Sequence, residues 1–171
     1  MLNSFLDKYI FTGTLKYVHN NFFLMGIPFT MVPSSLLVSL SQKQDAKLDK
    51  EVYYSFKGAM GESLSKQFGV NFKVEGQQSV NLVNAMFSAF GWGEFEIIDL
   101  DQNNVRAMVR VKNSPIAVNL SGNAKFACDH FLRGVIAGMF GSFFDQNVEC
   151  VETECSAINL VACEFLVKKK A

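Results

Sequence analysis

The spacing of apolar positions changes along this chain, and each change predicts an element. Val52, Phe56, Met60, Leu64 and Phe68 recur every four residues, the repeat of one face of an amphipathic helix, and Gly69 is a natural stop for it. Val80, Leu82, Val83, Met86, Phe87 and Phe90 continue a helical pattern over 77–90 that ends at Gly91-Trp92-Gly93. The period then shortens. Phe95, Ile97 and Ile98 lead into Asp101-Gln102-Asn103-Asn104, and Val105, Met108, Val109 and Val111 lead out, which predicts a β-hairpin with a polar tip that Pro115 ends. A last helix is predicted over 125–144, followed by antiparallel strands at 148–155 and 163–168. Ahead of these, 1–12 reads as a short strand or helix and 17–30 as buried strand. Pro33-Ser34-Ser35 opens a helix through Leu36, Leu37 and Leu40, and the polar 42–50 reads as loop. Helices followed by an antiparallel sheet make the class α+β.

Composition narrows this picture. The 171 residues suit one domain spanning 1–171 with a sizeable core. Seventeen phenylalanines stand against one tryptophan and four tyrosines, so the interior, or a cavity wall within it, offers little polar recognition. Sixteen basic and sixteen acidic residues cancel with no basic stripe, which argues against direct binding of nucleic acid. Lys168-Lys169-Lys170 reads as a solvated tail. Residues 20–42 carry no charge, but Pro28 and Pro33 break the stretch, and proline inside a helix costs about 3 kcal/mol. No transmembrane segment is expected. Met1-Leu2-Asn3-Ser4 lacks the basic start of a secretory signal and Asp7-Lys8 interrupts early. A soluble, cytoplasmic protein is the expectation.

The candidate chemistry lies near the C-terminal end: Cys128, Glu152, Cys155 and Cys163. Thiolates and a carboxylate are zinc ligands, and four of them close a tetrahedral site with no open position for catalysis. Glu152 and Cys155 are three apart, so they share a side of a strand only if the strand ends between them. A turn at Thr153-Glu154 is the expected solution. Two other readings stay open at this point, because free cysteines are among the most buried residues and spacing alone does not exclude a disulfide. Gly134 and Gly138, four apart in the last helix, allow close approach of a backbone or a ligand.

Cys128-x5-Gly134-x3-Gly138, then Val151-Glu152-Thr153-Glu154-Cys155, then Cys163-Glu164-Phe165-Leu166-Val167 resemble the 4-vinyl reductase-type domain. That domain occurs in archaeal hydrocarbon-binding proteins and in the sensor domains of phenol-responsive transcription activators. The resemblance covers roughly 120–168, with a compatible order of elements from about 80. It implies an antiparallel sheet packed against helices, similar to the small subunits of TRAPP tethering complexes and to NO-signalling ligand-binding domains. It also implies an apolar cavity between the helices and the sheet, and a structural zinc on Cys128, Glu152, Cys155 and Cys163. Cys150 lies outside that set and reads as core or pocket lining.

This chain departs from the family text in two places. The stretch 156–162 lacks the common Gly-Asp turn, so Asn159 is expected to take the left-handed conformation. Counterparts of the histidine and tryptophan that hold phenol in the sensors are not found, since His19, His130 and Trp92 fall elsewhere. The implied function is therefore binding or sensing of an apolar, hydrocarbon-like small molecule by a zinc-stabilised homodimer. Phe87, Phe90, Met108, Phe131, Val135 and Met139 are the expected lining. Two other functions compete with it. One is a reductase-related enzyme or accessory protein of tetrapyrrole metabolism, disfavoured because Gly91-Trp92-Gly93 is too short for a phosphate-binding loop and His130 beside Asp129 is a weak candidate base. The other is a lipid-holding assembly subunit.

Overall fold

The computed structural model describes residues 15–24, 27–41, 45–64, 78, 81, 84–85, 87–88, 90–121, 124, 127 and 129–170. The expected element at 1–12 lies outside them, as do Phe68 and Gly69. The chain forms two compact units, Met1–Pro33 and Ser34–Ala171.

In the first unit, 17–30 is a meander of three short strands where one buried strand was expected: β1 (Leu15–Val18), β2 (Asn21–Leu24) and β3 (Ile27–Phe29). The reason is local. His19 and Asn20 both take positive φ, 48° and 62°, as the tight turn of a two-residue hairpin requires. The apolar run therefore folds back on itself, and Tyr17 remains 62% exposed while its ring stacks on Phe22 and Phe22 on Phe29.

The second unit is an α+β assembly. Helix α1 (Ser34–Ser41) follows Pro33 as expected. Helix α2 (Ala46–Gly58) begins inside the stretch read as loop, because Asp45 caps it by accepting from the amides of Lys47 and Leu48. The capping side chain satisfies amides that otherwise have no partner, so the polar 46–50 becomes the solvated first turn of the helix. A π-helical turn, Ala59–Leu64, prolongs α2. Strands β4 (Glu94–Asp101) and β5 (Arg106–Lys112) form the predicted hairpin. Asp101 accepts from the Asn104 amide and side chain across its tip. Pro115 ends the hairpin and opens helix α3 (Pro115–Leu120), capped by Ser114.

Helix α4 (His130–Phe144) starts later than the pattern suggested, at the Asp129 cap. Strand β6 (Val148–Glu154), the short helix α5 (Ser156–Asn159) and strand β7 (Cys163–Lys169) follow. The antiparallel sheet runs β4-β5-β7-β6. One face carries Ala107, Val109, Val111, Phe165, Val167, Val148 and Cys150, all buried, and α4 packs on that side. Gly134 and Gly138 face α2: a Cβ on Gly138 would stand 2.5 Å from the Lys57 carbonyl, and one on Gly134 2.6 Å from the Tyr53 carbonyl. Between backbone and ligand, the partner these glycines admit is backbone. The opposite sheet face is polar, with Arg110 paired to Glu164 at 2.8 Å and Lys168 to Glu149 at 3.2 Å. No helix among the described residues is long and apolar enough to cross a membrane.

Candidate metal centre and ligand cleft

Strand β6 brings Glu152 to the core side by simple alternation: Val148, Cys150 and Glu152 are buried while Val151 is exposed. Alternation alone would then send Cys155 to the solvent face. It does not, because the register against β7 slips between Glu152 and Glu154: Glu152 pairs with Phe165 and Glu154 with Glu164. Thr153 is the extra residue of a β-bulge, and one inserted residue reverses the parity of everything beyond it. The expected turn at Thr153-Glu154 is thus a bulge within a continuing strand. Cys155 then leads into α5, and 156–162 doubles back to deliver Cys163 at the start of β7. The left-handed residue of that return is Leu160, at φ 62°, where Asn159 was expected. The Asn159 side chain instead accepts from the Val161 amide and donates to Glu154.

The result is a closed cluster. Ligand atoms of Glu152, Cys155 and Cys163 lie within 4.8 Å of one another, all three buried. Cys128, the fourth expected ligand, lies outside the described residues. Cys155 hydrogen-bonds to both Glu152 and Cys163, and the Cys163 sulfur also meets the amide and hydroxyl of Ser156, each at 3.3 Å. Amide donors on sulfur favour the thiolate. Glu152 Oε2 accepts from the Asp129 amide at 2.9 Å, which ties β6 to the start of α4. Asp129 itself accepts from Ser114 at 2.6 Å and from the Leu132 amide.

The electrostatics of this cluster are unfavourable as they stand. Burial, then the neighbouring Asp129 and Cys155, push the Glu152 carboxyl up to about 9. The Cys163 thiol is raised by its hydrogen bond with Cys155, by burial and by Glu152, and burial lifts Asp129 to about 6. Glu152 Oε1 is buried with no hydrogen-bond partner among the described residues. A divalent cation would offset the penalties at Glu152 and Cys163 together, since it binds the deprotonated forms. The donor set of sulfur and carboxylate oxygen suits zinc. These residues fit a metal.

Cys150 stands apart from the cluster as expected. Its amide donates to Tyr53 Oη and its carbonyl accepts from Arg133, whose guanidinium lies 5.0 Å over the Tyr53 ring. Burial raises its thiol well above the ordinary range, so it is inert core. His130 has both ring nitrogens engaged, by Arg133 at 2.9 Å and Asp49 at 3.3 Å, an arrangement that orients a helix start rather than one that frees a base.

The expected ligand lining is divided. Phe131, Val135 and Met139 are buried along α4, with Phe131 edge-on to Phe56 of α2 at 4.9 Å. Met108 alternates with the buried Ala107 and Val109 and so points to the opposite sheet face. Phe87 packs on Trp92 and Phe95, and Phe90 is 39% exposed. A cleft of 580 Å³ opens elsewhere, lined by Asn81, Asn84, Ala85 and Ser88 on one wall and by Phe95, Ile97, Ile98, Asp99 and Leu100 of β4 on the other. Its size falls within the ordinary range for small-molecule pockets. None of the six expected lining residues borders it. Sequence reading missed it by following the apolar residues of 77–90, whereas the cleft takes the other, polar face at positions 81, 84, 85 and 88.

Residues 108–169 match the 4-vinyl reductase domain family, the segment that contains the hairpin's second strand, α4, the bulge and both cluster cysteines. No curated protein sequence matches the chain. Among solved structures, the phenol-responsive sensory domain of the transcription activator PoxR with phenol superposes with TM-score 0.74 at 12% identity, covering 96% of this chain and 88% of that one. A vinyl-4-reductase family protein from Methanocaldococcus jannaschii gives 0.54 at 16% identity, covering 84% and 85%. A trafficking protein particle complex subunit 3 from Naegleria fowleri, covalently bound to palmitic acid, gives 0.55 at 13%, covering 81% and 90%. The expected relationship of fold to vinyl reductase-type proteins, the sensory domain and TRAPP subunits holds.

Proposed function

We propose that this chain is a small-molecule binding or sensing domain whose C-terminal half is fastened by a structural zinc on Cys128, Glu152, Cys155 and Cys163. The observation that carries the reading is the buried cluster, in which Glu152 Oε1 has no hydrogen-bond partner among the described residues. A buried carboxyl oxygen without a partner costs about 1–3 kcal/mol, and a cation answers it. When bound, zinc supplies charge neutralisation and cross-linking, with no open position for catalysis. The chain's own residues do the rest: Asp129 holds Glu152 through its amide, Ser156 holds Cys163, and the Thr153 bulge aims Cys155 inward. Support for ligand binding comes from the sensory-domain fold and the match to the vinyl reductase-type family. The ligand on this reading is hydrophobic or hydrocarbon-like, and the protein acts as a cytoplasmic homodimer. A lipid-holding assembly role draws support from the palmitate-bound TRAPP neighbour.

The test is native mass spectrometry of the purified protein, before and after mild denaturation. One zinc per chain is expected, lost in Cys155→Ser together with a sharp fall in melting temperature. A metal-free protein whose melting temperature is unchanged by Cys155→Ser would sink the structural-zinc reading.

A further inference from the structure

The polar outer face of the sheet is crossed by one apolar row. Met108, Leu166 and Val151 lie side by side on β5, β7 and β6, since Leu166 pairs with both of the others. Each alternates with buried core residues and so points away from the helices. Val151 is 40% exposed, and Met108 and Leu166 are half-buried. At the β4 end the row closes on Asp99, opposite Met108.

Charge frames this row on both sides. Across the four strands, one flanking row reads Asp101, Arg106, Lys168, Glu149. The other reads Glu96, Arg110, Glu164, Glu154. The edge strands β4 and β6 therefore present carboxylates, and the basic groups stand between them. Those basic groups are already held: Arg106 by Asp99, Arg110 by Glu96 and Glu164, Lys168 by Glu149. The surplus on the face is negative and lies at its two edges.

A second copy of this chain matches that pattern poorly. Turned face to face about an axis along the strands, β4 covers β6 and β5 covers β7. Asp101 then meets Glu149, Arg106 meets Lys168 and Glu96 meets Glu154. About an axis across the strands the flanking rows exchange, so Asp101 meets Glu96 and Arg106 meets Arg110. Both arrangements oppose like charges. A strand added at the β6 edge fits no better. There the Val148 carbonyl accepts from Lys57, the Cys150 carbonyl accepts from Arg133, and the Cys150 amide donates to Tyr53. Side chains of α2 and α4 thus occupy backbone groups that a new strand needs.

A helix matches the row in length. Met108 and Val151 stand two strand spacings apart, about 9.6 Å, and helix positions i, i+4 and i+7 span about 10.5 Å. We propose that the outer sheet face docks an amphipathic helix of another protein, laid across the strands, with apolar residues at that spacing and Lys or Arg at both ends. The apolar residues cover Met108, Leu166 and Val151, and the basic ends meet the carboxylates of β4 and β6. This surface lies on the far side of the sheet from α4 and does not depend on the ligand or metal readings above.

Two capped peptides test it, Ac-KKAALAAALAALAAKK-NH2 and the same sequence with glutamate at every lysine. Fluorescence anisotropy gives affinities, and amide NMR locates the contact. At low salt the lysine peptide is expected to bind about tenfold tighter than the glutamate one, shifting Met108, Leu166 and Val151. That gap should close in about 0.5 M salt. Val151→Lys should abolish binding at an unchanged melting temperature, whereas Val118→Lys, at a valine of α3 that is 57% exposed, should leave it intact. Equal affinity of the two peptides, binding of neither, or shifts confined to other elements overturns the proposal. So does a dimer that Val151→Lys disperses, which would assign the face to a second copy of the chain.

Discussion

Thr153 decides the chemistry of the C-terminal half without taking part in it. Its exposed side chain donates to the Glu164 carbonyl, and its position as the extra residue of a bulge turns Glu152 and Cys155 to the same side. The residue types of the buried cluster are visible in the sequence, but the bulge is not, because a slip in pairing depends on the partner strand and not on local preference. Buried among thiols, Glu152 has its pKa raised to about 9 by burial and its neighbours, above the ordinary value of about 4.3 in an unfolded chain. Between those values the folded, metal-free chain holds a proton that the unfolded chain has released. Its stability is therefore full below the lower value and falls as pH rises toward the upper one. We predict that chelator-treated protein loses melting temperature steadily from pH 5 to pH 9. Glu152→Gln, which keeps the shape without the ionisation, should flatten that slope; an equally steep slope in the variant would show that Glu152 is not its source.

At the level of elements, helix types and the two strand pairs were legible because period and turn chemistry agree along 52–58, 94–112 and 148–169. Boundaries were less so. Asp45 and Asp129 each start a helix where hydrophobicity gives no cue, and His19-Asn20 folds an apolar run that reads as one strand. The contact of α4 with α2 was half legible, since the glycines were visible but their partner was not. That contact makes a sharp prediction. Gly138→Ala places a methyl against the Lys57 carbonyl and the Met60 Cβ, at 2.5 and 2.8 Å, and should cost about 1–3 kcal/mol in urea unfolding. Gly141 is the control on the same helix: its added Cβ would meet nothing closer than 3.4 Å, so Gly141→Ala should be neutral or gain up to ~1 kcal/mol from helix propensity. Equal losses at both positions would mean that helix bending, not interhelical contact, sets the cost.

Across the whole molecule, the α+β class followed from the order of patterns, while the location of the open cleft did not. Its polar wall appears in sequence as the solvent side of an amphipathic helix, and only the placement of β4 shows that it faces apolar residues. The sheet order also fixes which strands are protected. β5 and β7 are inner strands, β4 and β6 are edges, so amides of β5 and β7 should exchange slowest with deuterium. Faster exchange in β7 than in β6 would contradict this topology.

The inner place of β7 has a consequence for how the protein is made. β7 follows β5 and β6 in the chain yet fits between them, so a nascent polypeptide displays both strands before the one that joins them has left the ribosome. Through that interval their facing edges are open to any extended segment nearby, the circumstance in which folding chains most readily associate wrongly. Cys163 arrives with β7. The buried cluster of Glu152, Cys155 and Cys163 therefore closes only as this last strand docks.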